Sequence, residues 1–225
     1  THQQPTSRGG DFYGTLFNGS QNQTADRDVQ RGLGTPKSTL ETISENMSVP
    51  VISDFNFYST STFSHRRSDV AETFRPVTNT TLVNPNLYPN GNQPYIAMDQ
   101  YDFETDNGIK THQFGFAWDA YITYARDKQN YSTTHSENMA FPDSTQTSFD
   151  DGASISSEMT AGLRWSSSFH PSWAPKPINL RLGGEYRHDT FATTAGAPEQ
   201  WMPPGDHAHD GTAPMSAQHQ IRVTY

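Results

Sequence analysis

Residues 178–189 read INLRLGGEYRHD, and the two faces of a β-strand divide this stretch into an apolar and a polar set. The apolar set takes every second position: Ile178, Leu180, Leu182, Gly184 and Tyr186. The polar set takes the positions between: Asn179, Arg181, Gly183, Glu185, Arg187 and Asp189. A helix would mix the two sets because its period is 3.6 residues. The stretch therefore predicts a strand with one apolar and one charged face.

Residues 155–169 repeat the pattern one segment earlier. Their apolar set is Ile155, Met159, Ala161, Leu163, Trp165 and Phe169, and their polar set is Ser156, Glu158, Thr160, Arg164 and Ser168. The segment between the two strands, 170–177, reads HPSWAPKP. Its three prolines cannot donate to a strand ladder, which predicts a tight connection. Residues 155–189 are thus predicted to form one long hairpin.

The same alternation predicts further strands on both sides of this hairpin. They are 114–127 and its partner 99–110, 42–51 followed by a turn at 53–54 and 55–67, a strand at 11–18, and the start or end of another near 219–225. About eight strands result, several longer than ten residues. Strands of soluble proteins usually have five or six residues, whereas a tilted strand needs about ten to cross a bilayer.

The predicted connections alternate in length. Those near 53–54, 111–113 and 171–177 are short, and those at 19–38, 68–96, 128–153 and 192–218 are long and polar. Short turns on one side and long loops on the other are typical of outer-membrane barrels. The prediction is an all-β fold: a segment of an antiparallel transmembrane β-barrel.

The amino-acid composition is compatible with a transmembrane β-barrel segment, and it excludes several classes of function. The 225 residues are polar on average yet 12% aromatic, whereas disordered chains are poor in aromatic residues. The net charge of −9 argues against a nucleic-acid partner, since phosphate binding needs clustered cations and the densest basic group is only His65, Arg66 and Arg67. The chain has no cysteine, which excludes disulfides and thiolate chemistry. A solvated β-sandwich would fit the same composition.

Several short segments, in order along residues 39–200, resemble a known family. They are FSHRRSD at 63–69, FRP at 74–76, LYPNG at 87–91, TYARD at 123–127, TSFDDG at 147–152, KPINL at 176–180, GEYRHD at 184–189 and AGAPE at 195–199. Together they resemble the barrel of bacterial TonB-dependent receptors. Residues 1–38 resemble this family only faintly.

The resemblance implies a 22-stranded outer-membrane barrel with an N-terminal plug, which imports a scarce nutrient with energy from the TonB complex. The chain has neither a plug-like sequence nor a TonB box, and about eight strands cannot close a wide barrel. We therefore expect residues 1–225 to be a partial β-barrel domain of a longer receptor. Its parts are 1–38 (strand and loop), 39–191 (hairpins with long loops), 192–218 (a long polar loop) and 219–225 (part of a further strand).

On this interpretation, one strand face meets outer-membrane lipid. The residues expected to face lipid are Phe116, Trp118, Ile122, Leu163, Trp165, Leu180, Leu182 and Tyr186. On the opposite face, Asp102, Glu104 and Asp106 would line the lumen. They would form either a hydrated wall paired with Arg164, Arg181 and Arg187, or a path for cations.

Two candidate sites fall in the predicted loop 192–218. His207, His209 and Asp210 could bind a divalent metal, because imidazole and carboxylate suit such ions, or they could be incidental residues of a polar loop. Trp201 could contact the nutrient ligand or simply pack the loop down. His112 and His135 stand alone and are expected to be structural.

No pattern of catalytic residues stands out. The sequence has no nucleophile elbow, no glycine-rich phosphate loop and no HExxH, so we expect neither an enzyme nor a cofactor. The expected function is nutrient transport across the bacterial outer membrane by loop binding and plug gating. The alternatives are a structural or adhesive β-rich surface protein that polymerises through open edges, and a secreted carbohydrate-binding β-sandwich.

Overall fold

The computed structural model describes residues 36–77, 79–141 and 143–198, together with the backbone of His2–Gln3 and Val223–Thr224. These residues form one antiparallel sheet in which strands adjacent in sequence are adjacent in space. Six strands are long: β2 (Lys37–Ile52), β3 (Phe55–Ala71), β4 (Tyr95–Gln113), β5 (Phe116–Thr134), β6 (Ser148–Phe169) and β7 (Ile178–Thr194). A two-residue strand pairs with each outer long strand: β1 (His2–Gln3) with β2, and β8 (Val223–Thr224) with β7.

The all-β prediction is confirmed, and six of the expected strands are the six long ones. The sheet is not closed, because its order runs from β1 to β8 and these two strands are not paired with each other. The expected strand at 11–18 lies outside the described residues. Of 219–225, only Val223–Thr224 is described as strand. Of the eight long strands expected, six are therefore present as long strands among the described residues.

The predicted strand ends were wrong on one side of the sheet. Strands β2 to β7 have 16 to 22 residues and continue several residues further toward the long connections than the alternation indicated. The long connections are correspondingly shorter, spanning 72–94 and 135–147. In these added stretches the two faces do not differ in polarity: 128–134 is mostly polar on both faces, and 95–98 (YIAM) is apolar on both, so period-two hydrophobicity could not reveal them.

The short connections lie at the opposite end of the sheet. Residues 53–54 join β2 to β3, residues 170–177 join β6 to β7, and residues 114–115 join β4 to β5. The last turn corrects the expected one at 111–113. Phe114 and Gly115 both have positive φ, 57° and 78°, as a two-residue hairpin turn with the right-handed strand twist requires. Phe114 therefore belongs to the turn and is 91% exposed.

One irregularity marks the loop end of β6. The register between β5 and β6 shifts from Tyr131↔Gly152 to Ser132↔Asp150, which leaves Asp151 as an extra residue. Gly152 has a φ of +90°, and the Thr133 hydroxyl donates to the Asp151 carboxylate at 2.7 Å. Such a bulge bends the strand and interrupts the ladder locally. Three further residue pairs between β5 and β6 follow it before the loops begin.

Candidate functional site

The register places the large apolar side chains of all six long strands on one face, the apolar face. Trp118, Trp165 and Leu182 are direct neighbours across β5, β6 and β7. The face comprises Ile43, Met47, Val49, Phe57, Phe63, Tyr101, Phe103, Ile109, Phe116, Trp118, Ala120, Ile122, Tyr124, Met159, Ala161, Leu163, Trp165, Phe169, Ile178, Leu180, Leu182 and Tyr186. All eight residues expected to face lipid are in this set.

These side chains are exposed although they are hydrophobic. Leu182 is 51% exposed, Ile122 48% and Leu163 45%. Isolated exposed apolar residues are ordinary, but a contiguous apolar surface of this width marks contact with another apolar medium or another protein. No other described element covers the face, since each long strand contacts only its neighbours in the sheet. The apolar face is thus left uncovered by the other described strands.

The apolar face is a band of limited height. On β7 it runs from Ile178 to Tyr186, nine residues, and then gives way to His188 and Thr190. At a rise of about 3.3 Å per residue and a tilt of roughly 40°, nine residues span roughly 23 Å. The apolar band of outer-membrane barrels is about 25 Å tall. On each long strand the band takes the half next to the short turns, and polar side chains are more frequent on the same face in the half next to the long loops.

Aromatic rings close the turn side of the band. The Phe116 ring packs edge-on against Trp165, with centroids 5.2 Å apart, and lies 6.2 Å from Trp118. Trp118 and Trp165 lie 6.3 Å apart, and the Trp118 indole N–H donates to the carbonyl of Gln113 at 3.3 Å. Rings with a polar edge favour the level where hydrocarbon meets headgroups.

Charged groups close the loop side of the band. The His65 ring stacks on Tyr101 with centroids 4.5 Å apart, and its Nε2 contacts the Asp99 carboxylate at 2.5 Å. The Tyr101 hydroxyl donates to the same carboxylate at 3.0 Å, and Arg67 lies 3.6 Å from it. The apolar band therefore ends on this side in a bonded polar cluster that joins β3 to β4.

The opposite face of the sheet, the polar face, carries a repeated arrangement around two glycines. Tyr58 on β3 lies flat over Gly108, its direct partner on β4, so closely that a Cβ on this glycine would overlap the ring. The Tyr58 hydroxyl reaches past β4 and donates to Asp119 on β5 at 3.0 Å. The Lys110 ammonium, two residues after the glycine, lies 4.5 Å from the ring centroid. One side chain thus ties three strands together.

The same arrangement recurs two strands further on. Tyr121 on β5 lies over Gly162 on β6, and its hydroxyl donates to Glu185 on β7. Arg164, again two residues after the glycine, lies 4.1 Å from the ring centroid and donates to the Tyr121 hydroxyl at 2.6 Å. Sequence reasoning missed both tyrosines. The available signal was the repeated glycine, apolar residue, cation pattern at 108–110 and 162–164.

The acidic residues of β4 do lie on the polar face, but their expected pairing was wrong. Arg164 pairs with Glu185 at 3.8 Å, and Arg187 pairs with Glu158 at 2.6 Å and with Asp189 at 3.1 Å. None of the ion pairs in the described ranges joins these arginines to the carboxylates of β4, which are Asp102, Glu104 and Asp106. The reason is distance along the sheet, because β4 is two strands from β6 and three from β7.

The connections 72–94 and 135–147 pack on each other and form a loop assembly. The Glu137 carboxylate accepts from the backbone N–H of Asn84 at 3.0 Å. The Tyr88 hydroxyl donates to the carbonyl of Ser136 at 3.2 Å, and the Asn92 amide donates to the carbonyl of His135 at 3.1 Å. Burial and the charge of Glu137 raise the pKa of the Tyr88 phenol. The two loops therefore form one ordered surface at the loop end of the sheet.

The loop assembly has its own small core. Val83 is fully buried, Pro94 is buried beside it in the same loop, and Phe74 is 7% exposed. The Arg75 and Asn92 backbones form an isolated antiparallel bridge that closes the base of the first loop. His135 takes part through its carbonyl and through an edge-on contact of its ring with Tyr95 at 5.5 Å, which agrees with the structural role expected of it.

The candidate residues of 192–218 lie outside the described residues: His207, His209 and Asp210 for a metal, and Trp201 for a ligand. Within the described ranges, no group of three or more histidine or acidic side chains is arranged to hold a metal ion. In the same part of the chain, no helix has the length and hydrophobicity to cross a membrane.

Comparison with protein-family models, curated proteins and solved structures finds no match. The functional argument therefore rests on the sequence and on the geometry of the two sheet faces and the loop assembly.

Proposed function

We propose that this chain forms part of the wall of a bacterial outer-membrane β-barrel, in which the apolar face meets lipid and the polar face meets the lumen. One observation carries the proposal: exposed apolar side chains form a band of roughly membrane height across six consecutive strands. A water-soluble sheet would bury that face against a second layer. Among the described residues, no second sheet packs on these strands.

The strand lengths support the same proposal. A tilted strand crosses a bilayer with about 9–11 residues, and the long strands have 16 to 22. The surplus is polar and lies next to the long loops, so the wall would extend several residues beyond the membrane on that side. Outer-membrane barrels carry their longer loops on the extracellular side. The loop assembly would then be the outward surface that first meets a ligand.

The more specific proposal is a TonB-dependent receptor, and it rests on the resemblance of residues 39–200 to that family. In this proposal the loops capture a scarce nutrient, and a plug domain coupled to the TonB complex gates its passage. The chain's own contribution would be binding and a hydrated wall, without covalent chemistry. Tyr58 and Tyr121, with their bonded carboxylates and overlying cations, would hold the lumenal wall rigid while a plug moves inside it.

The test is a cysteine scan of 178–188 in lipid vesicles, where each introduced thiol is unique because the chain has no cysteine. Leu180→Cys, Leu182→Cys and Tyr186→Cys should resist a water-soluble maleimide and, once fluorescently labelled before refolding, should be quenched by lipids brominated in their chains. Arg181→Cys and Glu185→Cys should react with the maleimide and escape the quencher. Equal behaviour at positions 181 and 182 would refute the lipid-facing assignment.

His188→Cys is the matched control in the same scan. His188 shares its face with Leu182 but lies past the end of the apolar band. It should therefore react with the aqueous reagent as readily as Arg181→Cys. This control separates burial in lipid from a general difference between the two faces.

A second candidate is a self-assembling β-rich surface protein, and the unclosed sheet favours it. A sheet edge with unpaired N–H and C=O groups recruits strands from other chains. If the chain works this way, refolding without lipid should give soluble fibres with a 4.7–4.8 Å strand repeat by fibre diffraction. A wall segment should instead give amorphous aggregate without lipid or detergent and the alternating cysteine pattern with it.

A further inference from the structure

The apolar band is interrupted on strands β2 to β4 by a group of polar side chains, the polar patch. It comprises Glu45 on β2, Ser59 and Ser61 on β3, and Thr105 and Asn107 on β4. The register places Glu45 opposite Ser61 and Ser61 opposite Thr105, so the patch is continuous across three strands. It shares its face with Met47, Phe63 and Ile109, and so lies on the face assigned to lipid.

The patch lies in the middle of the band rather than at its rim. On the turn side it is bounded by Phe57 and Ile109, which are direct cross-strand partners. On the loop side it is bounded by Phe63 and Phe103, which are also direct partners. Strands β5 and β6 carry only apolar or aromatic residues at the matching register positions: Ile122, Tyr124, Ala161 and Met159. The interruption is therefore confined to one half of the sheet.

The hydrogen bonds inside the patch leave donors over. Ser61 and Thr105 share a hydroxyl–hydroxyl bond of 2.8 Å, and the Asn107 amide donates to the Thr105 hydroxyl at 2.8 Å. These three side chains carry four polar hydrogens in all, and the two bonds use two of them, so two donors remain. Glu45, an acceptor when ionised, is exposed and forms no hydrogen bond or ion pair among the described residues.

Lipid cannot satisfy these groups. Hydrocarbon offers no donor to a carboxylate and no acceptor to an amide, and a charged residue on a barrel's lipid face is destabilising near the bilayer midplane. Polar residues at membrane depth accordingly face protein or water in most membrane proteins. The polar patch thus indicates a part of the outer surface that protein covers.

We propose that a second copy of this chain covers the polar patch, in a dimer whose two-fold axis is parallel to the membrane normal and passes beside β3. This inference rests on the proposed membrane location. Because β2 and β4 flank β3, such an axis places β2 of one copy opposite β4 of the other. Glu45 of each copy then meets Thr105 and Asn107 of its partner, at matching depth in the membrane. The Glu45 carboxylate of each copy would accept hydrogen bonds from the two spare donors of the other.

The complementary hydrogen-bonding groups of the patch favour a second copy of this chain over a different partner. The patch contains both the unsatisfied acceptor and the unused donors, and an isologous contact brings each to its complement without a third component. The apolar rim of Met47, Phe57, Phe63 and Ile109 would pack around these bonds and exclude water. Hydrogen bonds across such a contact hold membrane segments together where the hydrophobic effect contributes little.

Thiol cross-linking of the full chain in lipid vesicles tests the dimer. Ser61→Cys lies beside the axis, so each copy's thiol should meet the same thiol of its partner, and a mild oxidant should give a disulfide dimer. Leu182→Cys is the matched control, since its thiol lies on the uninterrupted half of the same band, far from the proposed axis, and should give no disulfide dimer. The Glu45→Leu change in the Ser61→Cys background should reduce the dimer to the control level, while the chain still inserts.

The outcomes separate this inference from the proposed function. Insertion, measured by the alternating cysteine pattern on β7, is scored in the same samples. A chain that does not insert contradicts the proposed function and this inference together. A chain that inserts and gives no more cross-link at Ser61→Cys than at Leu182→Cys contradicts the dimer alone. If Ser61→Cys does not refold, Phe63→Cys on the same strand and the same face serves instead, with the same two readings, because it leaves Glu45, Thr105 and Asn107 intact.

Discussion

The long-stranded sheet and the loop assembly treat their apolar residues in opposite ways. In the sheet, Leu182 and Ile122 are about half exposed although they belong to regular strands. In the loop assembly, Val83 is fully buried and Phe74 is 7% exposed although both lie in irregular segments. Regular structure normally carries the core and loops lie over its surface. Here three of the four buried hydrophobic residues in the described ranges lie in connections, and the fourth, Phe149, lies at the loop end of β6.

The difference teaches that the two regions need different surroundings. The loop assembly buries apolar side chains of its own and joins its two loops by hydrogen bonds, so water is an adequate medium for it. The sheet pairs the backbones of its inner strands and carries bonded side chains on its polar face, but its apolar face is uncovered among the described residues. The proposed function supplies the missing cover as lipid. Stability of the sheet should therefore depend on lipid, and that of the loop assembly should not. The following predictions separate the two regions, beginning with the largest effect.

The largest effect is expected for a cation placed in the middle of the apolar band. Leu163→Arg should lower the free energy of unfolding in lipid vesicles by about 2–4 kcal/mol, because a charge near the bilayer midplane loses its hydration. The measurement is a denaturant titration of the refolded chain in vesicles. Asn179→Arg, on the polar face of the neighbouring strand, should be nearly neutral. Equal losses for the two variants would remove the distinction between the faces, and with it the need for lipid.

An intermediate effect is expected on the polar face, at the glycines beneath the tyrosine rings. Gly162→Ala should cost about 1–3 kcal/mol, because the added methyl overlaps the Tyr121 ring and displaces its bond to Glu185. The same vesicle titration measures it.

Gly184→Ala is the matched control for this change. An added Cβ at Gly184 meets no atom within 4 Å. The variant should be neutral or slightly more stable, since glycine weakens a strand interior. A loss at Gly184 equal to that at Gly162 would show that strand backbone freedom, and not the tyrosine contact, accounts for the cost.

The smallest effect is expected in the loop assembly and should be independent of lipid. Tyr88→Phe removes the hydrogen bond to the Ser136 carbonyl, worth about 0.5–1.5 kcal/mol, and should loosen the contact between the two loops. Spin labels at Asn86→Cys and Ala140→Cys report this as a broader distance distribution. Strand stability in the vesicle titration should not change.

The pH dependence of the distance between the two spin labels tests whether the Tyr88 phenol holds the two loops together. Because the folded state raises the pKa of Tyr88, its stabilising contribution is complete below the ordinary tyrosine pKa of about 10 and is lost as the pH rises through the raised value. The label distribution should broaden over that window in the parent chain and stay constant in Tyr88→Phe. The same pH response in both chains would assign the transition to another group.

The alternation of apolar and polar residues predicted the strands correctly in the part of the sheet where one face is apolar and the other is polar. The start of β7 at Ile178 and the end of β6 at Phe169 were correct, because both lie inside the band. It failed at the loop ends of the strands, where the two faces do not differ in polarity, and at Phe114, whose aromatic side chain continued the pattern although its backbone turns. Pairing was inferable for hairpins, but closure of the sheet is a long-range property that no local pattern encodes.

The candidate site was predictable to a similar degree. The eight residues expected to face lipid do share one face, because period-two spacing fixes the face directly. The tyrosine and glycine contacts depend on register between strands distant in sequence, such as Tyr58 and Gly108, and sequence reasoning had no means of aligning them. The polar patch was missed for the same reason, since Glu45 and Asn107 come together only through the pairing of three strands.

The two tyrosine-over-glycine contacts have a consequence for how neighbouring hairpins find their alignment. A slip of one residue between β5 and β6 would turn Gly162 away from the side on which Tyr121 projects. A slip of two would place the ring against Thr160 or Arg164, where no vacancy exists for it. Each contact therefore admits a single alignment and spans three strands. During folding, a shifted register between two strands would remove the tyrosine–glycine contact and the hydrogen bond to the third strand. The third strand would then pair less favourably until the register is corrected.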